Sequence, residues 1–211
     1  MADAMTDDEL VAALAPLSLR STLDPPEVAR AEGRGVTGPD DVAALVAHVE
    51  RGLFASPFSP ATDLGPDKRR EVAGSITFQA VVAQILNPVL LAHRVLGVGL
   101  YPTVDQVRWR PDDWVVRYGL SELVRGGPMP TPAVLDRFHQ QITGSLADAI
   151  NAVLPVPLPG RLLVGNVRAA VHTALVAAGE APASFVRDSC CLIHLAGLLP
   201  CDECPLSAPS A

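Results

Sequence analysis

The sequence predicts a mainly α-helical protein of the α+β class. Its expected parts are a multi-helix body, a small β-hairpin and a cysteine tail after the last helix. Three observations lead to this prediction. Apolar residues recur at helical spacing in most long segments, β-branched and aromatic residues flank a turn within residues 107–118, and all four cysteines lie between residues 190 and 204. The chain has 211 residues, of which 49% are hydrophobic, and this suits one domain with a sizeable core.

Three helices are predicted in the N-terminal quarter of the chain. The capping-box spacing of Thr6 and Glu9 predicts the first one. The segment DPPEVARAEG predicts a short second helix that ends at Gly33. A third helix is predicted in GPDDVAALVAHVERG, with a proline in its first turn and Gly52 past its end.

A long buried helix is predicted next. From Pro66 to Leu86 the sequence is basic at first and then apolar nearly all round, as in a helix at the centre of a core. Pro88 is expected to break or kink this helix, with a second helical segment continuing to about Gly97. Residues 81–100 are long and apolar enough to span a membrane. However, they include Gln, Asn, Pro, His and Arg, so we expect a buried helix pair and no membrane span.

The second half of the chain is predicted to mix a hairpin with two helices. In VRWRPDDWVVRYGL, aromatic and β-branched residues stand on both sides of Pro-Asp-Asp, which predicts a hairpin with its turn at those three residues. After a hinge-like GGPMPTP loop, a helix is predicted from about Pro132 to Val153. The last helix is predicted in RLLVGNVRAAVHTALVAAG and closed by Gly179.

Charge and the N-terminal composition limit the possible functions. The net charge of −7 argues against nucleic-acid binding, because that requires a basic face that neutralises phosphates. The first 20 residues are acidic where a secretory signal is basic, so we expect a cytoplasmic protein. Thiols stay reduced in the cytoplasm, and clustered cysteines there indicate metal or redox chemistry more than disulfides.

The four cysteines are the strongest functional signal. Cys190 and Cys191 are adjacent, nine residues separate them from Cys201, and Cys204 completes a C-x-x-C pair. Four thiolates can bind zinc, hold an iron–sulfur cluster, form disulfides, or remain inert or regulatory. Two adjacent cysteines are hard to direct onto one tetrahedral ion, which favours a two-iron cluster. The spacing of the cysteines alone leaves a zinc site as an open alternative.

The tail SCCLIHLAGLLPCDEC resembles the C-terminal signature of the siderophore-iron reductase family, the FhuF-like ferric iron reductases. RLLVGNVRAAV resembles that family's helix with an Arg-Leu-Leu-Trp-Gly-Asn core, and FQAVVAQILNPVLLAHRVLGV resembles its middle apolar segment. The likeness touches much of residues 75–206. The sequence departs from the family in two places: the cysteine spacer has nine residues where ten are usual, and Val164 stands in place of the tryptophan.

The resemblance implies that the four cysteines bind a [2Fe-2S] cluster. Residues 1–184 would then form a helical reductase body, with the cluster-binding segment 185–211 packed on it. The implied activity is that of an iron–sulfur oxidoreductase that reduces siderophore-bound Fe(III) by one electron and releases Fe(II). The alternative is a zinc- or cluster-bearing interaction or sensor module without reductase activity.

The expected partners follow from the same sequence. No flavin or nicotinamide fingerprint is visible, so an external electron donor such as a ferredoxin or a flavin reductase is expected. Ferric hydroxamates are favoured over catecholates as substrates, because they are more often neutral or cationic and the chain is acidic.

Further residues near the cysteines are candidates for contact with the cluster, the substrate or a partner: Arg161, Asn166, Arg168, Arg187 and His194. The arginines at 161 and 168 are spaced to share a helix face. Their charge would raise the potential of a nearby cluster or attract an anionic partner, and the alternative is a solvated basic face. Asn166 can hydrogen-bond the cysteine segment, and its neighbour Gly165 permits a close approach. A single tail histidine does not suffice for Rieske ligation, which needs two.

Overall fold

The structure is a computed structural model that describes residues 5–17, 23–55, 64–113, 115–180, 185–186, 189 and 191–198. This part of the chain is mainly helical with small sheets, so the predicted class is confirmed. In chain order the helices are α1 (Asp7–Leu14), α2 (Pro26–Glu32), α3 (Pro39–Phe54), α4 (Pro66–Leu91), α5 (Thr131–Phe138), α6 (Gly144–Ala152) and α7 (Gly160–Ala177). The strands are β1 (Leu23–Asp24), β2 (Arg34–Gly35), β3 (Gly99–Leu100), β4 (Val107–Asp112), β5 (Val115–Leu120) and β6 (Arg125–Gly126).

The first three helices begin where their capping signals predict. At α1 the hydroxyl of Thr6 accepts the backbone N–H of Glu9 at 3.2 Å, and the Glu9 carboxylate accepts the N–H of Thr6 at 2.7 Å. The predicted end of α3 is wrong, because the helix runs through Gly52 to Phe54. Leu53, which follows that glycine, packs against the core, and tertiary packing outweighs the poor helix propensity of one glycine.

The long helix α4 lies at the centre of the protein and packs against α3, α5, α6 and α7. It is buried on nearly all sides, as predicted. The helix does not break at Pro88: it continues to Leu91 and then as a π-helical turn over Ala92–Leu96. It ends at the left-handed Gly97, where the sequence predicts the end of the second segment. A proline removes a single N–H from the helix, and here the surrounding core keeps the backbone helical.

The segment Pro66–Leu96 is long and apolar enough to cross a bilayer, judged by length and composition alone. It is the one helix of that kind in the ranges described above. Its most apolar window is 72% buried inside the protein, which is the behaviour of a core helix. The absence of a membrane span stays a prediction.

The predicted hairpin is present, but only the last residue of Pro-Asp-Asp lies in its turn. Strands β4 and β5 pair antiparallel along their full length, from the pair Val107–Leu120 to the pair Asp112–Val115. The turn therefore begins after Asp112, at Asp113. Asp113 has φ 53°, a left-handed conformation that short polar residues tolerate in tight hairpin turns.

The hairpin forms the centre of a four-stranded sheet with the order β1-β5-β4-β2. Pro111 lies in β4 and not in the turn, which corrects the prediction. A proline fits there because only Arg108 and Trp109 of β4 pair with β2, so the missing N–H costs no further ladder bond. A second, two-stranded sheet joins β3 to β6, and sequence analysis does not predict it.

The predicted helix from Pro132 to Val153 is observed as α5 and α6 joined by a π-helical turn over His139–Thr143. The final helix α7 ends as predicted. Gly179 has φ 74°, and the backbone N–H of Glu180 bonds the carbonyl of Leu175 at 2.8 Å, so a left-handed glycine caps the helix.

The side chain of His93, in the π-helical turn after α4, contacts the backbone at two later points of the chain, Leu100 and Met129. Its Nδ1 atom accepts the backbone N–H of Met129 at 3.0 Å, and its Nε2 atom lies 3.2 Å from the carbonyl oxygen of Leu100. The backbone N–H of Leu100 also points at Nε2, with 3.2 Å between the two nitrogens, so the peptide groups of Leu100 and Met129 both contact the ring. The side chain is buried, and this burial lowers the pKa of His93 against the opposing effect of the bond to Leu100.

We expect stability to fall as the pH drops below about 6.5, because the unfolded histidine then takes up a proton that the buried ring resists. Protonation also removes the acceptor for Met129. Thermal unfolding at steps between about pH 8 and about pH 5 measures this loss. The variant His93→Gln keeps one donor and one acceptor, so it should show a shallower loss. An equally steep loss in that variant would contradict the assignment.

Candidate functional site

Two described residues that follow α7, Phe185 and Ser189, contact that same helix. The ring of Phe185 stacks on His172 with centroids 4.5 Å apart and planes 18° from parallel. Further on, the hydroxyl of Ser189 donates to the backbone carbonyl of Arg161 at 3.1 Å. His172 and Arg161 are eleven residues apart, about 16 Å along the helix axis. Phe185 therefore lies toward the C-terminal half of α7, and Ser189, just before the first cysteines in the sequence, lies at its N-terminal half.

Gly165 allows the returning segment to lie close to α7. A Cβ atom at this position would come within 1.9 Å of the Ser189 hydroxyl oxygen and 3.2 Å of the Ser189 Cβ. The first distance is shorter than real Cβ contacts and the second is tighter than most, so a larger residue requires the Ser189 side chain to shift. This is the close approach that the sequence predicts for Gly165.

Cys191 is seated in the groove between α4 and α7. It is 2% exposed, and its backbone carbonyl accepts a hydrogen bond from the hydroxyl of Ser75 at 2.9 Å. Ser75 belongs to α4 and is itself fully buried. The backbone of the second cysteine in the predicted ligand set is therefore hydrogen-bonded to the central helix of the protein.

Asn166 completes this hydrogen-bonded cluster from α7. Its side-chain nitrogen lies 3.3 Å from both the backbone carbonyl oxygen and the hydroxyl oxygen of Ser75. The carbonyl can only accept, which orients the amide nitrogen of Asn166 toward Ser75. Asn166 thus contacts Ser75, which in turn bonds Cys191, and a direct hydrogen bond from Asn166 to the cysteine segment stays a prediction. We call Ser75, Asn166 and the Cys191 carbonyl the serine–asparagine clamp.

After Cys191 the chain makes a tight turn. Leu192 has φ 71°, a left-handed conformation that is unfavourable for a branched side chain. A 3-10 turn follows over Ile193–Ala196, in which Ala196 is fully buried, and the left-handed Gly197 ends it. His194 lies in this turn and is partly buried. Contacts with α4 hold the turn against the body.

The structure brings together some of the predicted site residues. Arg161 and Arg168 are both exposed on α7, with the 53% exposed Val164 between them. Three predicted ligands, Cys190, Cys201 and Cys204, lie outside the described residues, as does Arg187. Among the residues that are described, no three His, Cys, Asp or Glu side chains converge. The four-cysteine ligand set stays a prediction.

Sequence analysis does not single out two residues that hold the segment, Ser75 and Ser189. The available signal for Ser75 is its position in the run VAGSITFQAVV, where a serine occupies a fully buried place on a core helix. Buried polar side chains almost always have a specific partner. Nothing in the sequence identifies that partner as the carbonyl of Cys191.

Comparison with protein-family models, with curated proteins and with solved structures finds no match for this chain. The resemblance of its tail and of its α7 motif to the siderophore-iron reductases therefore stays an expectation from the sequence.

We expect Gly165→Ala to release the cysteine segment from α7. A helical Gly→Ala change alone stabilises by about 0.5–1 kcal/mol, but here the new methyl group collides with Ser189. Protease cleavage within residues 185–198 should therefore accelerate, while far-ultraviolet circular dichroism stays helical. Mass spectrometry of the cleavage products locates the cuts.

Gly160→Ala is the matched control, because it lies on the same helix and a Cβ there meets no atom within 4 Å. It should leave the cleavage rate at the wild-type value. Equal rates for Gly165→Ala and wild type would contradict the close packing of Ser189 on α7.

Proposed function

We propose that the protein is a [2Fe-2S] oxidoreductase that reduces siderophore-bound Fe(III) to Fe(II). The observation that carries the proposal is the placement of Cys191, which is buried in the α4–α7 groove with its carbonyl bonded to Ser75. The other support is the spacing of the four cysteines, and the resemblance of their segment to the tail of ferric-siderophore reductases.

The residues of this chain fit such a cluster in their chemistry. Cysteine thiolates are the usual donors to iron–sulfur clusters, and Cys190, Cys191, Cys201 and Cys204 would hold it. When bound, a [2Fe-2S] cluster accepts and donates one electron. The helical body gives the segment a fixed seat through Ser75, which reduces the conformational entropy lost when the ligands assemble.

The body also provides the surroundings that tune a redox centre. Burial of Cys191 excludes water from one side of the site. The exposed Arg161 and Arg168 place positive charge on the helix beside the segment, which favours the reduced and more negative state. The same charges suit an acidic electron-donor protein, while the net charge of −7 disfavours highly anionic catecholate complexes.

Iron release follows from the change in hardness of the metal. Oxygen ligands of a siderophore hold Fe(III) tightly, and they hold the larger Fe(II) far less strongly. One electron per iron is therefore enough to free the metal. The chain needs no acid, base or nucleophile for this step, and the electron comes from an external donor such as a ferredoxin or a flavin reductase.

Protein purified without oxygen should be red-brown, with about two irons and two acid-labile sulfides per chain. Reduction with dithionite should give the electron paramagnetic resonance signal of one unpaired electron. Metal and sulfide analysis measures the stoichiometry. A colourless protein with one tightly bound zinc would contradict the cluster and favour an interaction module.

The reductase activity is tested in a single turnover. Wild-type protein is reduced with dithionite, freed of excess reductant and mixed with a ferric hydroxamate and an Fe(II) trap. Trapped Fe(II) should reach about one per chain as the colour of the oxidised cluster returns, because the cluster carries one electron. Protein with zinc in place of the cluster is the control and should release none.

If the protein carries the cluster but does not reduce siderophore-bound iron, the cluster part of the proposal stands and the siderophore part is wrong. In that case the protein stays reduced beside excess ferric hydroxamate and readily reduces small ferric complexes. A sensor or carrier role would then be the better account of the cysteine tail.

A further inference from the structure

We propose that the exposed surface of α7 formed by Arg161, Val164 and Arg168 is the docking site of an acidic electron-donor protein of the ferredoxin type. We call these three residues the α7 surface. The inference rests on the proposed function, because that function requires an electron from outside the chain. It deepens the function by giving the donor a place on the protein and a stated chemistry.

The α7 surface combines positive charge with an apolar centre. Residues three and four positions apart are neighbours on a helix, and this is the spacing of Arg161 to Val164 and of Val164 to Arg168. All three side chains are exposed. Arginine is enriched in protein interfaces, and a solvent-exposed apolar residue between two arginines gives a partner an apolar contact with cations on both sides.

Exposed apolar side chains are concentrated around the same helix. A single exposed valine is ordinary on a protein surface. However, three of the five large apolar side chains that are exposed in the described part of the chain lie on α7 or on the segments directly before and after it. They are Val156, Val164 and Val186. This side of the protein therefore offers more apolar contact than the other described surfaces.

The charge of α7 is opposite in sign to the charge of the whole chain. The chain has 23 acidic and 16 basic residues, yet residues 149–179 contain no Asp or Glu. Among the described residues, none forms an ion pair with the guanidinium of Arg161. Complementary charges steer two proteins together, so this surface favours a partner that presents carboxylates. The excess of acidic residues elsewhere disfavours the docking of that partner at other faces.

The α7 surface adjoins the segment that carries the predicted ligands. The backbone carbonyl of Arg161 accepts the hydroxyl of Ser189 at 3.1 Å. Cys191 follows two residues later, and two residues of extended chain span at most about 7 Å. A protein that contacts Arg161 therefore comes close to the backbone of one predicted ligand whose place the structure describes. This argument uses the position of Cys191 alone.

The step at this surface is the transfer of one electron. The reduced donor loses the electron and the protein gains it, while no bond forms and no proton or group moves. An acidic [2Fe-2S] ferredoxin fits, because it carries one electron and presents carboxylates to a basic surface. Nucleic acid is the other polyanion that a basic surface attracts, and the net charge of −7 disfavours it.

The first test measures the binding of an acidic plant-type [2Fe-2S] ferredoxin to anaerobically purified protein. Both proteins are oxidised, so no electron moves, and the dissociation constant is determined at about 20 mM and about 150 mM salt. We expect Arg161→Glu to raise the dissociation constant about tenfold at low salt, because it replaces attraction with repulsion. Higher salt should weaken wild-type binding and reduce the difference between the two proteins. A Glu in the first turn of α7 suits the helix dipole, so the variant should fold.

The second test measures electron transfer by stopped flow. The rate with reduced ferredoxin is divided by the rate with reduced methyl viologen, a small donor that needs no docking surface. The charge change also alters the potential of a nearby redox centre, and this effect acts on both rates. The ratio therefore isolates docking. At ferredoxin concentrations below saturation, Arg161→Glu should lower the ratio about tenfold, in line with the weaker binding.

Arg34→Glu is the matched control. It makes the same change of charge at an exposed arginine of β2, an edge strand of the four-stranded sheet. Both the dissociation constant and the rate ratio should stay within about twofold of wild type, because exposed charges far from a contact are screened. Val164→Ser removes the apolar centre without a change of charge. It should raise the dissociation constant about threefold at both salt concentrations.

The proposal is overturned if Arg34→Glu weakens binding as much as Arg161→Glu, because net charge and not the α7 surface then governs binding. It is also overturned if wild-type protein does not bind the ferredoxin at low salt, or binds a single-stranded oligonucleotide more tightly.

The docking proposal and the proposed function fail differently. If wild-type protein takes up iron and sulfide and reduces ferric hydroxamate, but Arg161→Glu leaves binding and the rate ratio unchanged, the docking site is wrong and the proposed function stands. If wild-type protein takes up no iron and sulfide, the proposed function is wrong, and the role of the α7 surface in electron delivery is overturned with it.

Discussion

The packing of α7 against α4 is the constraint on which the rest of the structure depends. α4 is buried on nearly all sides, and a single serine, Ser75, faces Asn166 of α7 across the contact. The groove beside that contact receives the returning chain and seats Cys191. A change in the spacing or register of these two helices would displace the cysteine segment without touching any cysteine.

The same contact explains why small and polar residues interrupt apolar helices. Gly165 leaves space for Ser189, and Asn166, the next residue on α7, turns its amide into the groove. Gly165 thus lets another segment pack closely on α7, and Asn166 provides a hydrogen-bond donor beside it. On the side of α7 away from Asn166, Arg161, Val164 and Arg168 are exposed. One helix therefore contributes both to the groove that holds Cys191 and to an exposed basic surface.

Sequence patterns predicted the features that depend on local chemistry. The capping box at Thr6, the buried character of α4 and the glycine cap at Gly179 all follow from short-range rules, and all are present. The errors came where tertiary packing overrides those rules. Pro88 continues a helix because the core surrounds it. The hairpin turn begins only at the last residue of Pro-Asp-Asp because pairing with β5 extends to Asp112.

The same distinction between local signals and long-range contacts applies to the candidate site. Its proposed chemistry rests on the cysteine spacing, and Gly165 and Asn166 are visible in the α7 motif. Ser75 was not, because its partner is 116 residues away in the chain and no local pattern connects them. The strained Leu192 and the return of the chain along α7 are likewise products of long-range contacts, which one sequence does not specify.

The central claim is that a [2Fe-2S] cluster lies against the α4–α7 groove. Nuclear magnetic resonance of the reduced, paramagnetic protein tests it most directly, with the zinc-bound protein as diamagnetic reference. The account predicts that amide signals of Ser75, Gly165 and Asn166 broaden most strongly among the body residues, while those of the β4–β5 hairpin turn broaden least. Strongest broadening at any other part of the body, or no difference between the two samples, would contradict it.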